Sequence, residues 1–339
     1  MVIVALLFLI IGFIGLYFGG KLVIIGLENI SYRFEISHLM VGLTVLAIGT
    51  SLPEISVSVM GGIDKLLGAT EIIDDIVIGN KVGSFLIQIT LILGILGVSQ
   101  HISVSKWVLR REGVMLFISA IFFLIVGIDG VITSFEALIL IIVYFLYLIL
   151  IIRSEKKIER LKNEKEYIEE EELEQIDFEP LELVKKTTSL KQDIGISLFG
   201  LFILLVAAEI TVLSATDIAI ELNIPGNVIG ILIIGVGTSL PELSVDLTAL
   251  RRKSGGIAVG DILGSNICDI LLATGSGAII TSFNVPMILI FFDIPMLFGA
   301  ISIAYYFLAT EKILKKWEAM LLIFYFGFYV FLKLLLFQI

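Results

Sequence analysis

Hydrophobic residues fill this chain in long runs that short polar segments separate. Ten runs are close to or above the roughly 18 residues that an apolar helix needs to cross a bilayer. The pattern therefore predicts an all-α membrane protein with ten transmembrane helices. The runs cover residues 2–27, 38–62, 73–98, 113–128, 134–152, 193–214, 226–249, 256–281, 286–308 and 317–337.

The composition agrees with this prediction and narrows the class of protein. Hydrophobic residues make up 58% of the chain, charged residues 17%, and the mean hydropathy is +1.07, values outside the range of soluble domains. We find no nucleophile motif, nucleotide-binding loop, redox motif or basic nucleic-acid surface, so we expect neither an enzyme nor a cofactor. The single cysteine, Cys268, excludes an internal disulfide.

One polar segment, 153–192, divides the chain into a first unit, 1–152, and a second unit, 193–339. The centre of the segment is strongly acidic and its flanks are basic, and much of the net charge of −10 lies there. It lacks the spacing of a dedicated calcium-binding loop. A solvated linker is therefore the preferred interpretation over a regulatory calcium site.

Lysine and arginine residues predict how the chain lies in the membrane. They concentrate in the odd-numbered loops between runs, whereas the even-numbered loops carry Lys65 alone. Cytoplasmic loops are enriched in basic residues. We therefore expect a multi-pass protein of the cell membrane with both termini extracellular and the 153–192 segment cytoplasmic. The first run lacks a basic leader and a cleavage site, so we expect a retained helix.

The strongest pattern is an internal repeat. The hexapeptide Gly49–Glu54 recurs letter for letter as Gly237–Glu242, and Gly79–Ser84 has a related counterpart in Gly260–Ser265. Each unit contains five runs, an odd number, so the second unit must enter the bilayer in the opposite sense. The sequence thus predicts two inverted-topology five-helix repeats, an arrangement found in secondary transporters.

Each copy of the hexapeptide should interrupt its helix. Pro53 and Pro241 cannot donate a main-chain hydrogen bond, and their rings clash with the preceding turn. Irregular backbone persists in a membrane only where it lines a polar cavity. The released carbonyls and the side chains of Thr50, Ser51 and Glu54 would offer oxygen ligands to a cation there. A proline kink whose hydroxyls bond back to the helix is the alternative.

A second set of polar residues follows each hexapeptide at intervals of four, so its members share one helical face. These residues are ion ligands in our preferred interpretation, although such a face also occurs as polar packing between helices. The residues are Asn80, Ser84 and Gln88 in the first repeat and Asp261, Ser265 and Asp269 in the second.

The buried acids indicate which ion the protein handles. An ionised carboxylate at mid-bilayer costs roughly 2.5 to 3.5 kcal/mol, so Glu54, Glu242 and Asp269 need a compensating cation. Carboxylates with hydroxyls and carbonyls suit a flexible oxygen shell, which favours Ca²⁺ and permits Na⁺. Glu209 and Asp293 also lie within apolar runs, either as structural caps or as a proton route.

The doubled Gly-Thr-Ser-Leu-Pro-Glu with Gly-(Asn/Asp)-x-x-Gly-Ser resembles the two alpha repeats of the sodium/calcium exchanger family, of the prokaryotic type, within the calcium/cation antiporter superfamily. The resemblance implies a secondary active antiporter that exchanges Ca²⁺ for Na⁺ by alternating access, with a monomer sufficient for transport. A proton-coupled or otherwise altered cation/Ca²⁺ exchanger and a passive cation channel are the alternatives. The implied ligands are Glu54, Glu242, Asp269, Thr50, Ser51, Ser84, Gln88, Thr238, Ser239 and Ser265, with main-chain carbonyls near Ala47 and Gly235.

Several positions depart from the family pattern. Gln88 stands where the family has Asn or Asp, Lys81 lies about one turn from Ser84, and Asp246 replaces the counterpart of Ser58. We hypothesise that Lys81 pairs with Asp246 or takes the place of a bound monovalent cation beside the first-repeat glutamate. A lysine that snorkels to the interface is the alternative. The residues expected to modulate transport are Lys81, Asp246, Asn80 and Asp261.

Overall fold

The computed structural model describes residues 2–33, 47–69, 72–100, 102–104, 106–164, 189–251, 255–311 and 313–337, which are mostly helical. The first repeat contains α1 (Val2–Arg33), α2 (Ala47–Thr50), α3 (Leu52–Leu66), α4 (Ile72–Leu86), α5 (Leu93–Ser99), α6 (Lys106–Gly127) and α7 (Ser134–Glu164). The second contains α8 (Leu190–Leu222), α9 (Gly226–Ile229), α10 (Gly235–Thr238), α11 (Leu240–Arg251), α12 (Gly255–Cys268), α13 (Thr274–Ala278), α14 (Ile294–Glu311) and α15 (Lys316–Phe337).

Among the described residues, four π-helical stretches, called wide turns below, continue or join these helices, and four short strands lie in the loops. The wide turns are Ile87–Ile92, Gly230–Ile234, Asp269–Ala273 and Leu289–Asp293. The strands are β1 (Ile102–Ser103), β2 (Val131–Ile132), β3 (Phe283–Asn284) and β4 (Ile313–Leu314).

Within the described residues, eight helical segments are long and apolar enough to cross a membrane. This chain is therefore a helical multi-span protein. The predicted run 38–62 lies partly outside the described residues, and the run 113–128 falls in α6, whose first turns carry charged residues. The eight segments are Val2–Gly26, Ile72–Ser99, Ser134–Ser154, Leu190–Leu222, Gly226–Arg251, Ala258–Ala278, Leu289–Thr310 and Lys316–Leu336.

Several helices extend beyond the apolar runs that predicted them. The helix α7 continues to Glu164, well into the predicted linker, and α8 already begins at Leu190. Ser189 and Gln192 form a reciprocal capping box at the start of α8, which satisfies free amide groups and fixes the start of the helix. The apolar run marks only the part inside hydrocarbon, so it underestimates the helix. Residues 165–188 of the linker lie outside the described residues.

The predicted interruption of the two core helices is present in both repeats. Between α2 and α3, Ser51 has φ −76° and ψ 0°, and between α10 and α11, Ser239 has φ −86° and ψ 5°. Each serine lies two residues before the proline of its hexapeptide. The two copies of the motif thus adopt nearly the same local backbone conformation.

Helices α1 and α8 pack together along much of their length because glycines let their backbones approach. A Cβ atom at Gly19 would lie 2.9 Å from the Leu204 nitrogen, and one at Gly200 would lie 2.8 Å from the Val23 nitrogen. Small residues at helix interfaces are a common means of association in membranes. The first helix of each repeat is therefore joined directly to its counterpart.

The loops at one end of the molecule are tied together by side chains and by a strand pair. Lys65 bonds Asp74 at 2.5 Å and the Ser282 carbonyl at 2.7 Å, while the Asn284 amide donates to Asp74 at 2.9 Å. Strands β2 and β3 pair antiparallel beside them. These contacts join the second, fourth and eighth loops.

A second set of contacts joins odd-numbered connections. Strands β1 and β4 pair antiparallel between the third and ninth loops. Asn29, near the end of α1, donates to Asp193, near the start of α8, at 3.1 Å, and Arg111 donates to Ser154 at 3.2 Å. These contacts join odd-numbered connections to one another.

A buried ion pair connects the last two predicted spans. The Lys333 ammonium lies 2.5 Å from a carboxylate oxygen of Asp293, and the Tyr329 hydroxyl donates to the other oxygen at 2.6 Å. Both charged side chains are fully buried. Asp293 is thus held in a complete polar contact between α15 and the wide turn before α14.

We expect Gly83→Ala to destabilise the protein. Its Cβ atom would lie 2.5 Å from main-chain atoms of Ile231 in the other repeat, and main chain cannot yield as a flexible side chain does. Overpacking of this kind costs roughly 1 to 3 kcal/mol, which thermal unfolding in detergent would measure. Gly327→Ala is the matched control, because nothing lies within 4 Å of its added methyl and helix propensity alone predicts a gain of up to about 1 kcal/mol. Equal stability of both variants would contradict this packing.

Candidate cation-binding site

The two interrupted helices and the helices that follow them meet in the interior of the molecule. The predicted acids Glu54, Glu242 and Asp269 are fully buried, with 0% of each exposed. The other predicted ligands share this interior, and so do the four expected modulators. Buried with the acids are Thr50, Ser51, Ser84, Gln88, Thr238, Ser239, Ser265, Ala47, Gly235, Lys81, Asp246, Asn80 and Asp261.

Ligands from the first interrupted helix touch the second repeat. The Thr50 hydroxyl lies 3.0 Å from the Ser265 hydroxyl and 3.5 Å from a carboxylate oxygen of Asp261. The Ser51 hydroxyl donates to the Ser265 carbonyl at 3.4 Å. The hexapeptide of the first repeat therefore lies against the polar face of α12.

The reciprocal contacts run from the second repeat to the first. The Thr238 hydroxyl donates to the Asn80 side chain at 3.1 Å, as its counterpart Thr50 contacts Asp261. Ser84 and Gln88 both donate to one carboxylate oxygen of Asp269, at 3.4 and 3.2 Å. Each repeat thus supplies half of a single polar cluster, which joins residues more than 150 positions apart.

Many oxygen atoms of this cluster are buried without a hydrogen-bond partner among the described residues. Burying such groups unpaired is costly, so the cluster is suited to a ligand that accepts electron pairs from oxygen. A hard cation does this. The unpartnered oxygens include both carboxylate oxygens of Glu54, Glu242 and Asp246, one each of Asp261 and Asp269, the Gln88 amide oxygen and the Ser239 hydroxyl.

The carbonyls predicted as ligands belong to the same cluster. The Ala47 carbonyl accepts from the Ser51 amide at 3.2 Å and the Thr50 hydroxyl at 3.3 Å, and the Gly235 carbonyl accepts from the Ser239 amide at 3.2 Å and the Thr238 hydroxyl at 3.5 Å. Both threonine hydroxyls thus bond back to their own helix, as the alternative interpretation of the hexapeptide expects. In the described part of the chain, no three His, Cys, Asp or Glu side chains converge closely enough to enclose one metal ion. A cation here would therefore rely on hydroxyl, amide and main-chain oxygens together with the acids.

Lys81 lies beside Glu54, and not beside Asp246, the other partner predicted for it. Its ammonium donates to the main-chain carbonyl of Glu54 at 2.6 Å. Both carboxylate oxygens of Asp246 lack a hydrogen-bond partner in the described structure, so the predicted pairing of Lys81 with Asp246 is not formed. The side chain is fully buried, which also excludes snorkelling to the interface in this conformation. The four-carbon side chain of Lys81 is long enough to reach α3, where its ammonium bonds the Glu54 carbonyl.

Thr274 also contacts the cluster, although it is not among the residues that the sequence motifs predict. Its hydroxyl donates to the main-chain carbonyl of Asp269 at 3.1 Å. The two residues are five positions apart, a spacing that does not share a face in an α-helix. The wide turn Asp269–Ala273 brings them together, and no motif in the sequence announces that turn.

Fold and site together define the class: a helical multi-span membrane protein with an acid-rich, oxygen-lined cluster in its interior. The family model described as "Sodium/calcium exchanger protein" matches residues 4–153 and 193–335. The chain therefore belongs to the sodium/calcium exchanger protein family. Its members are ion exchangers and not enzymes, and this membership supports cation/Ca²⁺ exchange by the chain.

Individual relatives span nearly the whole chain. An uncharacterized membrane protein of Methanocaldococcus jannaschii is 34% identical over 278 residues, covering 81% of this chain and 82% of its own. The sodium/calcium exchanger MaX1 of Methanosarcina acetivorans is 28% identical, covering 97% and 99%. The solved structure of the sodium-calcium exchanger NCX_Mj, soaked with 2.5 mM Na⁺ and 10 mM Sr²⁺, matches with a TM-score of 0.60 and 30% identity, covering 97% and 98%.

Proposed function

We propose that this protein exchanges Ca²⁺ for Na⁺ across the cell membrane by alternating access. One observation carries the proposal: buried, unpartnered carboxylates from both repeats share a single cluster in the protein interior. The three buried acids Glu54, Glu242 and Asp269 would together cost roughly 8 to 10 kcal/mol at mid-bilayer without counter-charge, and the single Lys81 ammonium offsets only part of this. A transported cation supplies that charge.

The ligand chemistry supports Ca²⁺ and Na⁺ as the transported ions. Both bind hard oxygen ligands in flexible shells, and the cluster offers carboxylates, hydroxyls, an amide and main-chain carbonyls. Zn²⁺ and Cu⁺ prefer histidine and thiolate ligands, whereas the predicted ligand set contains neither. The name of the relative MaX1 and the ions in the NCX_Mj soaks point in the same direction.

Binding of Ca²⁺ and Na⁺ to one shared cluster would favour exchange of the two ions over their co-transport. Ca²⁺ and Na⁺ would use overlapping oxygens, so binding of one would displace the other. Glu54, Glu242 and Asp269 would need to approach each other more closely than they lie here to hold one ion together. Closing around the ion in that way is what an occluded intermediate requires.

We further propose ten membrane crossings arranged as two inverted repeats, with the basic odd-numbered loops in the cytoplasm. The separate grouping of odd and even loops supports this arrangement. The reciprocal contacts of Thr50 with Asp261 and of Thr238 with Asn80 support an approximate two-fold relation between the repeats. The predicted site then lies where each interrupted helix meets the polar helix face of the other repeat.

Ion flux into lipid vesicles tests the function. Vesicles loaded with Na⁺ and diluted into Na⁺-free medium should take up radioactive Ca²⁺, because Na⁺ efflux drives its entry. K⁺ and pH gradients, imposed separately and without Na⁺, should not drive uptake. Uptake that follows a pH gradient alone would contradict Na⁺ coupling in favour of proton coupling, and Ca²⁺ flux without any counter-ion would indicate a channel.

A further inference from the structure

The ammonium of Lys81 lies inside the ion cluster and not at its edge. The residue is on α4, one turn before Ser84, whose hydroxyl donates to the Lys81 carbonyl at 3.2 Å. Positions 81, 84 and 88 share one helical face, so the lysine follows the same line as the predicted ligands Ser84 and Gln88. Its side chain is 0% exposed.

Lys65, near the end of α3, provides a comparison for the environment of Lys81. Its side chain is 20% exposed and reaches the loop carbonyl of Ser282 and the carboxylate of Asp74. Lys81 instead turns inward and bonds the Glu54 carbonyl at 2.6 Å. The two lysines therefore have different environments, and only one of them adds charge to the cluster.

The partners of Lys81 are those that a small monovalent cation would use. Main-chain carbonyl oxygens are common ligands of Na⁺ in transporters, and here the ammonium bonds a main-chain carbonyl in the first turn of α3, just after the interruption. The carboxylates whose charges attract this ammonium are Asp269 and Glu54. Both are predicted ligands of the transported ions.

The second repeat has no equivalent charge. The position that corresponds to Lys81 in the Gly-(Asn/Asp)-x-x-Gly-Ser motif is Ile262, which is buried and apolar. The cluster is therefore symmetric in its threonines and glutamates but carries a fixed positive charge on one side only.

We propose that the Lys81 ammonium is a tethered cation that fills one monovalent position beside Glu54, so that each cycle moves one Na⁺ fewer than the same cluster would without the lysine. This inference rests on the proposed Ca²⁺/Na⁺ exchange and makes Lys81 the residue that sets its stoichiometry. The ammonium would neutralise part of the acid cluster in every state of the cycle, including the Ca²⁺-bound one.

The test compares Lys81→Met with wild type in lipid vesicles whose membrane potential is clamped at zero. At equilibrium the Ca²⁺ ratio equals the Na⁺ ratio raised to the number of coupled Na⁺ ions. With a ten-fold Na⁺ gradient, one additional coupled Na⁺ should therefore make the equilibrium Ca²⁺ gradient of Lys81→Met about ten-fold steeper. Lys81→Arg, which keeps the charge, and Ile262→Met, which changes the equivalent site without changing charge, should both match wild type.

The outcomes separate this inference from the proposed function. Absence of Na⁺-driven Ca²⁺ uptake in wild type would overturn the function and the inference together. If wild type exchanges the ions and Lys81→Met reaches the same Ca²⁺ gradient, the inference alone is wrong. Should the variant fold without transporting, heat stability measured against Na⁺ concentration decides: one more bound Na⁺ per molecule than in wild type supports the tethered cation, and an equal number refutes it.

Discussion

Replacing Glu54 with glutamine is expected to abolish Na⁺-driven Ca²⁺ uptake, and Glu242→Gln should do the same. Each change keeps an oxygen of similar size but removes a negative charge from a fully buried cluster. At an effective dielectric constant of about 20, two unit charges about 4 Å apart interact by about 4 kcal/mol, roughly a thousand-fold in affinity. Uptake of radioactive Ca²⁺ into Na⁺-loaded vesicles measures the loss.

Heat stability distinguishes lost ion binding from lost folding. Neither carboxylate oxygen of Glu54 has a hydrogen-bond partner among the described residues, so without ions Glu54→Gln should be at least as stable as wild type. Added Ca²⁺ should stabilise wild type, by about 2.7 kcal/mol at a hundred times its dissociation constant, and leave the variant unchanged. A variant that Ca²⁺ stabilises as strongly as wild type would show that Glu54 is not a ligand.

Glu209→Gln is the matched control for these substitutions. Glu209 lies within the predicted span formed by α8 and interacts with Asp64, which is not one of the predicted ion ligands. The same chemical change at this position should leave Na⁺-driven Ca²⁺ uptake close to the wild-type level. If Glu209→Gln lost as much uptake as Glu54→Gln, the loss in Glu54→Gln could not be attributed to ion binding by the cluster acids.

Removal of Lys333 is expected to destabilise the protein by about 3 to 5 kcal/mol, the usual effect of leaving a buried charge without its partner. Its ammonium lies 2.5 Å from Asp293, and both side chains are fully buried. Lys333→Met would leave the Asp293 carboxylate with only the Tyr329 hydroxyl among the partners described above. Thermal or denaturant unfolding in detergent would measure this change.

The double variant Lys333→Met with Asp293→Leu provides the control. It removes both charges together, and well-packed apolar replacements of buried ion pairs are often neutral or stabilising. We therefore expect the double variant to recover most of the stability lost in the single one. If the single and double variants lose the same free energy of unfolding, the loss comes from altered side-chain packing and not from the broken ion pair.

Local sequence signals predicted the parts of the site that local chemistry dictates. The helix interruptions at Ser51 and Ser239 follow from proline and glycine in the hexapeptide, and the structure has both. The shared face of Ser84 and Gln88 follows from their spacing, and both contact Asp269. Repetition of the motif added the expectation that the two halves contribute to one place.

Contacts between distant residues could not be predicted in the same way. Lys333 and Asp293 lie on different helices, and the sequence around each residue does not indicate that the two side chains pair. Lys81 was expected beside Asp246 or Glu54 because side chains were the visible candidates, whereas its partner is a main-chain carbonyl. Every residue carries such a carbonyl, so the sequence gives no signal for it.

The wide turn Ile87–Ile92 has a consequence for how the third predicted span tolerates change. Before it, the Ser84 hydroxyl donates to Asp269 of the polar cluster; after it, Gly94 and Gly97 lie against Ala319 of α15. The extra residue in the turn changes the direction in which the later side chains point. One helix can therefore place Ser84 toward Asp269 and also Gly94 and Gly97 toward α15, which an unbroken α-helix could not do. Deleting a single residue there would rotate the downstream part of the helix by about 100°. The span could then keep its contacts with Asp269 or its packing against α15, but not both.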